Sequence, residues 1–246
     1  MTAQTPLIII PARMASARLP GKPLADINGT PMIGHVWMKA VAANLGEVVV
    51  AAGDRAIAEA VAGFGGRAVL TDPALPSGTD RVRAAAEMVD PGGARAVVNL
   101  QGDMPTVTSD ILRAVAGRLA QPGAEIVTAV ALRGGGPHGP DRVKAVLTRE
   151  GRALYFSRAE VPHDADGGDT GGSDGPRYIH VGIYGFARAA LNRFCALAPS
   201  PLERREKLEQ LRALEAGMRI DCVTVDRVPL SVDIPADLIR VRREMS

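Results

Sequence analysis

The sequence predicts the α/β class, with a largely parallel sheet covered by helices on both faces. Three observations carry this. The four aliphatic residues 7–10 and the largely apolar runs at 47–51 and 96–100 read as strands buried on both sides. Segments of helical periodicity separate them, and that alternation calls for parallel pairing through right-handed crossovers. With 246 residues and 46% apolar content, the chain can bury a sizeable core.

The first strand is expected to stop at Pro11, which has no N–H to give to a ladder. A cationic loop follows, in which Arg13, Arg18 and Lys22 recur among small residues and Pro20–Gly21 sets a turn before the lysine. After the Asn28–Gly29 turn, Met32, Ile33, Val36, Trp37, Ala40 and Val41 fall at helical spacing within residues 31–43. Strand 47–51 leads to Asp54 as cap of a helix over 57–62, which Gly65–Gly66 ends before strand 68–70. Thr79 is placed to cap a helix through 82–89, with Asp80 favourable in its first turn.

Strand 96–100, helix 109–119 and strand 126–132 continue the alternation. Regularity breaks at 133–141 and again at 164–176, a Gly- and Asp-rich tract that reads as a mobile surface loop. Strands are expected at 143–147 and 153–157. Residues 178–186 alternate, with Ile179, Val181 and Ile183 on one face and Tyr178, His180, Gly182, Tyr184 and Phe186 on the other. Ser200–Pro201–Leu202–Glu203 has the form of a capping box, opening a helix to about residue 216 on which Leu208 and Leu211 face the core. Strand 220–225 and a helix from Asp233 to about 245 close the chain. There is no repeat and no long linker, so residues 1–246 form a single domain.

Composition excludes several classes of function. A net charge of +2 gives no reason for a nucleic-acid or membrane partner. Cys195 and Cys222 stand alone, as reduced thiols do in a cytoplasmic protein. The polar start is too short for a signal peptide or a membrane span, and the chain reads as soluble and cytoplasmic.

The cationic loop leaves the carboxyl end of a parallel strand, where ligands bind in open α/β sheets. Two arginine forks and a mobile lysine suit the charges of a nucleoside triphosphate. It is no Walker loop, because Ser16 stands where the first glycine belongs and Pro23 where Ser or Thr belongs. Residues 9–23, IIPARMASARLPGKP, instead resemble the signature loop of the cytidylyltransferases that activate 3-deoxy-D-manno-octulosonate (KDO). The resemblance continues through Ser77–Gly78–Thr79–Asp80–Arg81, Gln101–Gly102–Asp103, Tyr155–Arg158, His180–Gly185, Leu208–Gln210 and residues 232–238.

The resemblance implies a Rossmann-like mixed, mostly parallel sheet of the nucleotide-diphospho-sugar transferase type, with a smaller C-terminal subdomain for the acceptor and for dimerisation. Residues 1–132 would mainly bind nucleotide; residues 133–246 would bind the acceptor and complete the metal site. The implied reaction couples CTP and KDO to CMP-KDO and pyrophosphate, for lipopolysaccharide synthesis, by a homodimer using Mg2+. Arg13, Arg18 and Lys22 are the implied catalytic cations. Pro11, Ala12, Ser77, Gly78 and Arg81 would bind the nucleotide, with Arg81 donating to the base carbonyl. Gln101, Arg158, His180, Tyr184, Glu209 and Gln210 would bind the sugar, Arg158 through its carboxylate. Asp103 and Asp233 would ligate the metal, although Asp233 on its own also reads as a helix cap.

Met104 departs from the family, where many members carry an acid. Apolar and one residue beyond Asp103, it is expected to pack beneath the loop, away from the ion. Alternatives are an enzyme for another acid sugar, an amino analogue of KDO or a sialic acid, and an inactive nucleotide-binding homologue. Sialic acid enzymes share the early arginine but not Arg-Leu-Pro-Gly-Lys.

Overall fold

Nine strands form one mixed sheet in the computed structural model, which describes residues 5–16, 18–133, 141–163 and 176–246. The chain runs β1 (Leu7–Ala12), β2 (Asp26–Ile27), β3 (Thr30–Pro31), α1 (Met32–Ala42), β4 (Glu47–Ala52), α2 (Arg55–Gly63), β5 (Arg67–Leu70), α3 (Gly78–Val89) and β6 (Val97–Asn99). It continues through α4 (Ser109–Leu119), β7 (Ile126–Leu132), β8 (Lys144–Leu147), β9 (Ala153–Ser157), β10 (Tyr178–Phe186), α5 (Arg188–Ala196), α6 (Pro201–Glu206), α7 (Leu211–Glu215), β11 (Ile220–Val225) and α8 (Pro235–Glu244). The tract at 164–175 and residues 134–140 lie outside the described residues, and with them most of the expected surface loop.

The main path is β11-β7-β10-β6-β1-β4-β5, and β10 alone in that path runs antiparallel to its neighbours. Because β10 inserts between β6 and β7, the second half of the chain completes the same sheet as the first. β8 and β9 extend the start of β10 as a short antiparallel ladder. In β1, Ile8 and Ile10 enter one core layer with α1, α2 and α4, while Leu7 and Ile9 enter the other with α3, α5 and α7. All four are fully buried, which is why the run reads as continuously apolar. A third cluster, Ile27, Met32, Val232, Leu238 and Val241, fastens α8 to the β2–β3 hairpin.

Four expectations are corrected. Strand β1 does not stop at Pro11 but runs to Ala12, both residues pairing with β4. Ile9 C=O accepts from Leu100 on the β6 side, so Pro11, two residues on, turns its missing donor to that side, where the ladder has already ended at Asn99. The expected helix through 216 is broken at Lys207, whose φ of 56° is left-handed. The Glu206 carboxylate accepts from Ser157 Oγ (2.7 Å) and Arg158 N–H (3.0 Å), and Arg212 forks back onto Glu203 (2.6 and 2.8 Å). In an unbroken helix those two residues would stand about 13 Å apart along the axis.

The cap of α3 is Ser77, whose Oγ accepts from Asp80 N–H; Thr79 lies inside the helix and is buried. Asp233 caps nothing: Ile234 is the residue before α8, and the Asp237 carboxylate accepts from the N–H groups of both Asp233 and Ile234. Helix α5 was not anticipated. Its apolar face is only Ala190, Leu191 and Phe194, and it is held as much by buried Arg188 pairing with Glu87 of α3 and Asp90 just after it.

Candidate active site

The carboxyl ends of β1 and β6 open into a pocket of about 360 Å³. Its floor is Pro11 and Ala12, and the cationic loop forms one wall. Gly21 N–H closes that loop on Met14 C=O (3.1 Å), and Met14 N–H donates to Asp54 Oδ2 (2.8 Å). Asp54, expected to cap α2, makes no side-chain cap there; its carboxylate anchors the loop instead. Next to it, a Cβ on Gly53 would lie 2.9 Å from Arg81 Nη1 and 3.2 Å from Arg13 Cβ, so a side chain there would press on both arginines.

Beyond Gly21 a 3-10 turn, Lys22–Leu24, points the lysine inward. Its Nζ stands 2.8 Å from Asp103 Oδ2 and 3.4 Å from Asp233 Oδ1. Arg18 Nη2 reaches the same Asp233 oxygen at 3.1 Å. Two main-chain features fix these carboxylates: a Cβ on Gly102 would meet Pro11 O at 2.8 Å, and Asp103 C=O accepts from Val232 N–H at 2.9 Å. Arg13 lines the pocket and is exposed.

Opposite the loop, Ser77, Gly78 and Gln101 form the other wall. Ser77 Oγ also donates to Asp80 Oδ2 (2.8 Å), so it serves the helix while bordering the pocket. Arg81 lines the pocket too, yet it is buried and its hydrogen bonds go to Thr71 Oγ1, Asp72 C=O and Pro73 C=O. Gln101 Nε2 donates to Asn99 Oδ1 (3.2 Å), Asn99 Nδ2 approaches Thr79 Oγ1 (3.5 Å), and Thr79 donates to Glu209 Oε2 (2.8 Å).

A second pocket, about 500 Å³, shares Arg18 with the first and takes in Asp233. Arg142, Arg158, Arg240 and His180 line it, with Met104 and Gly182. Met104 packs against the core, near Gly182, and so faces a different pocket from Asp103, as its apolar character predicts. Arg158 borders this pocket with its Nε on Glu206 C=O (2.9 Å) and its Nη2 on Lys207 C=O (3.4 Å). Buried Lys144 donates to the carbonyls of Arg142 (2.9 Å) and Arg158 (2.6 Å) and ties both segments together.

The His180 ring packs edge-on against Phe156 (4.9 Å) and places Nε2 2.9 Å from Thr128 Oγ1. Burial lowers its pKa to about 3. Below about pH 6.5 the unfolded chain protonates this imidazole while the native chain does not, so the unfolded state holds more protons. Stability from this group is therefore present above that pH and lost as pH falls toward 3, by at most about 1.4 kcal/mol per unit. Denaturant unfolding across this range should show a shallower pH dependence for His180→Gln than for the native chain; equal slopes would contradict the assignment.

Tyr184, Glu209 and Gln210 do not line either large pocket. They border a small void of about 10 Å³ with Thr79, Phe186 and Phe194, next to His180 through the Tyr184 ring (5.4 Å). That is room for about one water. Glu209 Oε1 and Gln210 Nε2 have no hydrogen-bond partner there, and burial raises the Glu209 pKa. Of the sequence-predicted residues, then, Pro11, Ala12, Arg13, Arg18, Lys22, Ser77, Gly78, Arg81, Gln101 and Asp103 meet at the first pocket, and Arg158, His180 and Asp233 at the second. Asp54, Arg142, Lys144 and Arg240 were missed. Only Asp54 carried a usable signal, as an acid at the carboxyl end of a parallel strand.

Comparison with known proteins fits this geometry. A family model described as cytidylyltransferase matches residues 7–220. A 3-deoxy-manno-octulosonate cytidylyltransferase of Paramagnetospirillum magneticum is 53% identical over 250 residues, covering 98% of this chain and 98% of that protein. One from Rhodospirillum centenum is 55% identical over 252 residues, covering 98% and 95%. The solved structure of a CMP:2-keto-3-deoxy-manno-octonic acid synthetase complexed with CTP superposes with a TM-score of 0.90 at 36% identity, covering 98% of each chain.

Proposed function

This chain belongs to the cytidylyltransferase family, and from that premise we propose that it couples CTP to 3-deoxy-D-manno-octulosonate, releasing pyrophosphate and CMP-KDO. The observation that carries the reading is the junction of the two pockets. Arg18 lines both, and Lys22, Asp103 and Asp233 cluster at that junction, where a nucleotide in one and an acid sugar in the other would meet.

In this reading Pro11, Ala12, Ser77 and Gly78 flank the base, and Arg81 shapes that wall by holding residues 71–73. Arg13, Arg18 and Lys22 take the phosphates, where charge-assisted hydrogen bonds strengthen as pyrophosphate gains charge. The sugar's anomeric hydroxyl attacks the α-phosphorus in line and the bond to pyrophosphate breaks. Positioning supplies much of the acceleration. His180 offers no base of useful strength, being held near pKa 3 with Nε2 engaged. Arg158 and Arg142 favour an acidic acceptor, whereas Gln101 lines the nucleotide pocket and Tyr184, Glu209 and Gln210 border the small void, not the acceptor pocket.

Asp103 and Asp233 suit Mg2+, a hard cation that commonly takes one or two carboxylates and completes its shell with phosphate oxygens and water. Both converge on one cation already, the Lys22 ammonium, and no group of three or more metal-binding side chains exists among the described residues. Bound there, the ion would polarise the reacting phosphate and the attacking hydroxyl. The family resemblance further supports a homodimer working in the cytoplasm, upstream of lipopolysaccharide synthesis. No helix among the described residues is long and apolar enough to cross a membrane.

Pyrophosphate release from CTP, measured over a panel of acid sugars, tests the reading. Release is expected with KDO and at least about tenfold slower with its amino analogue or a sialic acid, a difference of roughly 1.4 kcal/mol in barrier. A faster rate with either competitor would move the substrate, and no release with any of them would make the chain an inactive homologue.

A further inference from the structure

Lys22 has two claims on it. The proposed function gives its ammonium to the nucleotide's phosphates, whereas the structure sets it between the two carboxylates assigned to the metal. Nζ lies 2.8 Å from Asp103 Oδ2 and 3.4 Å from Asp233 Oδ1, on a side chain only 15% exposed. Those distances keep the two oxygens within about 6 Å of each other, and an ion that draws both in to about 2.1 Å would stand between them, in the space that Nζ holds. Two cations cannot share that space.

We propose that Lys22 is the resident counter-ion of the Asp103–Asp233 pair, and that a divalent cation gains the pair only as nucleotide phosphates draw the lysine away. The protein then takes its metal together with the nucleotide, not before it. The geometry permits the exchange. Gly21 N–H to Met14 C=O pins the loop's main chain, while four methylenes let the ammonium swing from carboxylates to phosphates without moving it. Arg18 is a second counter-ion on Asp233, a weaker one, since it contacts a single oxygen and is 61% exposed. Once the lysine leaves, two carboxylates stand close together with one cation fewer, which raises their attraction for a doubly charged ion.

The inference rests on the assignment of Asp103 and Asp233 to metal, and the experiment separates the two. Mn2+ prefers the same octahedral oxygen ligands as Mg2+ and reports its free concentration by electron paramagnetic resonance. Without nucleotide, Lys22→Gln is expected to bind Mn2+ at least about tenfold more tightly than the native chain, because a full positive charge has left the pair. Arg18→Gln should give a smaller gain, Lys22→Arg should give little, and Asp103→Asn added to Lys22→Gln should cancel the gain. Circular dichroism checks that each variant is folded.

If Lys22→Gln binds Mn2+ no better than the native chain without nucleotide, while the native chain with CTP binds it and both aspartates are required, the counter-ion role is overturned and the metal site stands. If Asp103→Asn and Asp233→Asn leave Mn2+ binding of the CTP complex unchanged, the metal assignment falls and the inference with it.

Discussion

Asp103→Asn is expected to lower turnover by at least about a thousandfold, or roughly 4 kcal/mol of barrier, while leaving the protein folded. The amide keeps the shape of the carboxylate but removes the charge that balances a divalent cation and the Lys22 ammonium 2.8 Å away. Stability should change little, because the ion pair is partly solvated, with the Asp103 side chain 26% exposed. The contact that joins this loop to the segment before α8 is also untouched, since Val232 N–H donates to the Asp103 main-chain carbonyl. Pyrophosphate release across a magnesium titration, with thermal melts of the same samples, would check both halves. Near-native turnover at ordinary magnesium would remove Asp103 from the metal site. Asp233→Asn is held to the same standard, and it now carries no helix cap to lose.

Arg81→Ala should act mainly on stability, lowering it by about 3 kcal/mol, enough to reduce the melting temperature by roughly 6–12 °C in a chain of this size. The family resemblance implies that Arg81 binds the base of the nucleotide. In the structure its guanidinium donates to Thr71 Oγ1 and to the carbonyls of Asp72 and Pro73, and truncation would leave a gap beside buried Thr71 and release the exposed residues 72–73. Weakened CTP binding should accompany the loss, because residues 71–73 lead directly into Ser77–Gly78 at the pocket wall. Melting curves and CTP titrations distinguish the roles. A variant that melts like the native chain and loses only CTP affinity would return Arg81 to the base.

Local information in the sequence reached far. Continuous apolar runs, helical periods and turn residues report which side of a short segment is buried, and that is a property of a few neighbouring residues. Strand positions, the capping box at Ser200, the inward face of Leu208 and Leu211, and the placing of a cationic loop at a strand's carboxyl end were therefore legible. So was the inward packing of Met104, because an unbranched apolar side chain beside a polar loop has little else to do.

Partner choice was not legible, because it depends on distances the chain does not carry locally. Asp54 fits a helix cap by local rules, but Met14 N–H offered an acceptor-poor loop a better match 40 residues away. Lys207 has an ordinary place in a helix until Glu206 is claimed by Ser157 and Arg158, nearly 50 residues earlier. The central choice is of the same kind. Spacing and position marked Lys22 as a phosphate ligand, and the family resemblance implied Asp103 and Asp233 as metal ligands, each on its own segment. Only the fold brings three groups separated by 81 and 211 residues to one point, where unlike charges brought within hydrogen-bonding distance must pair.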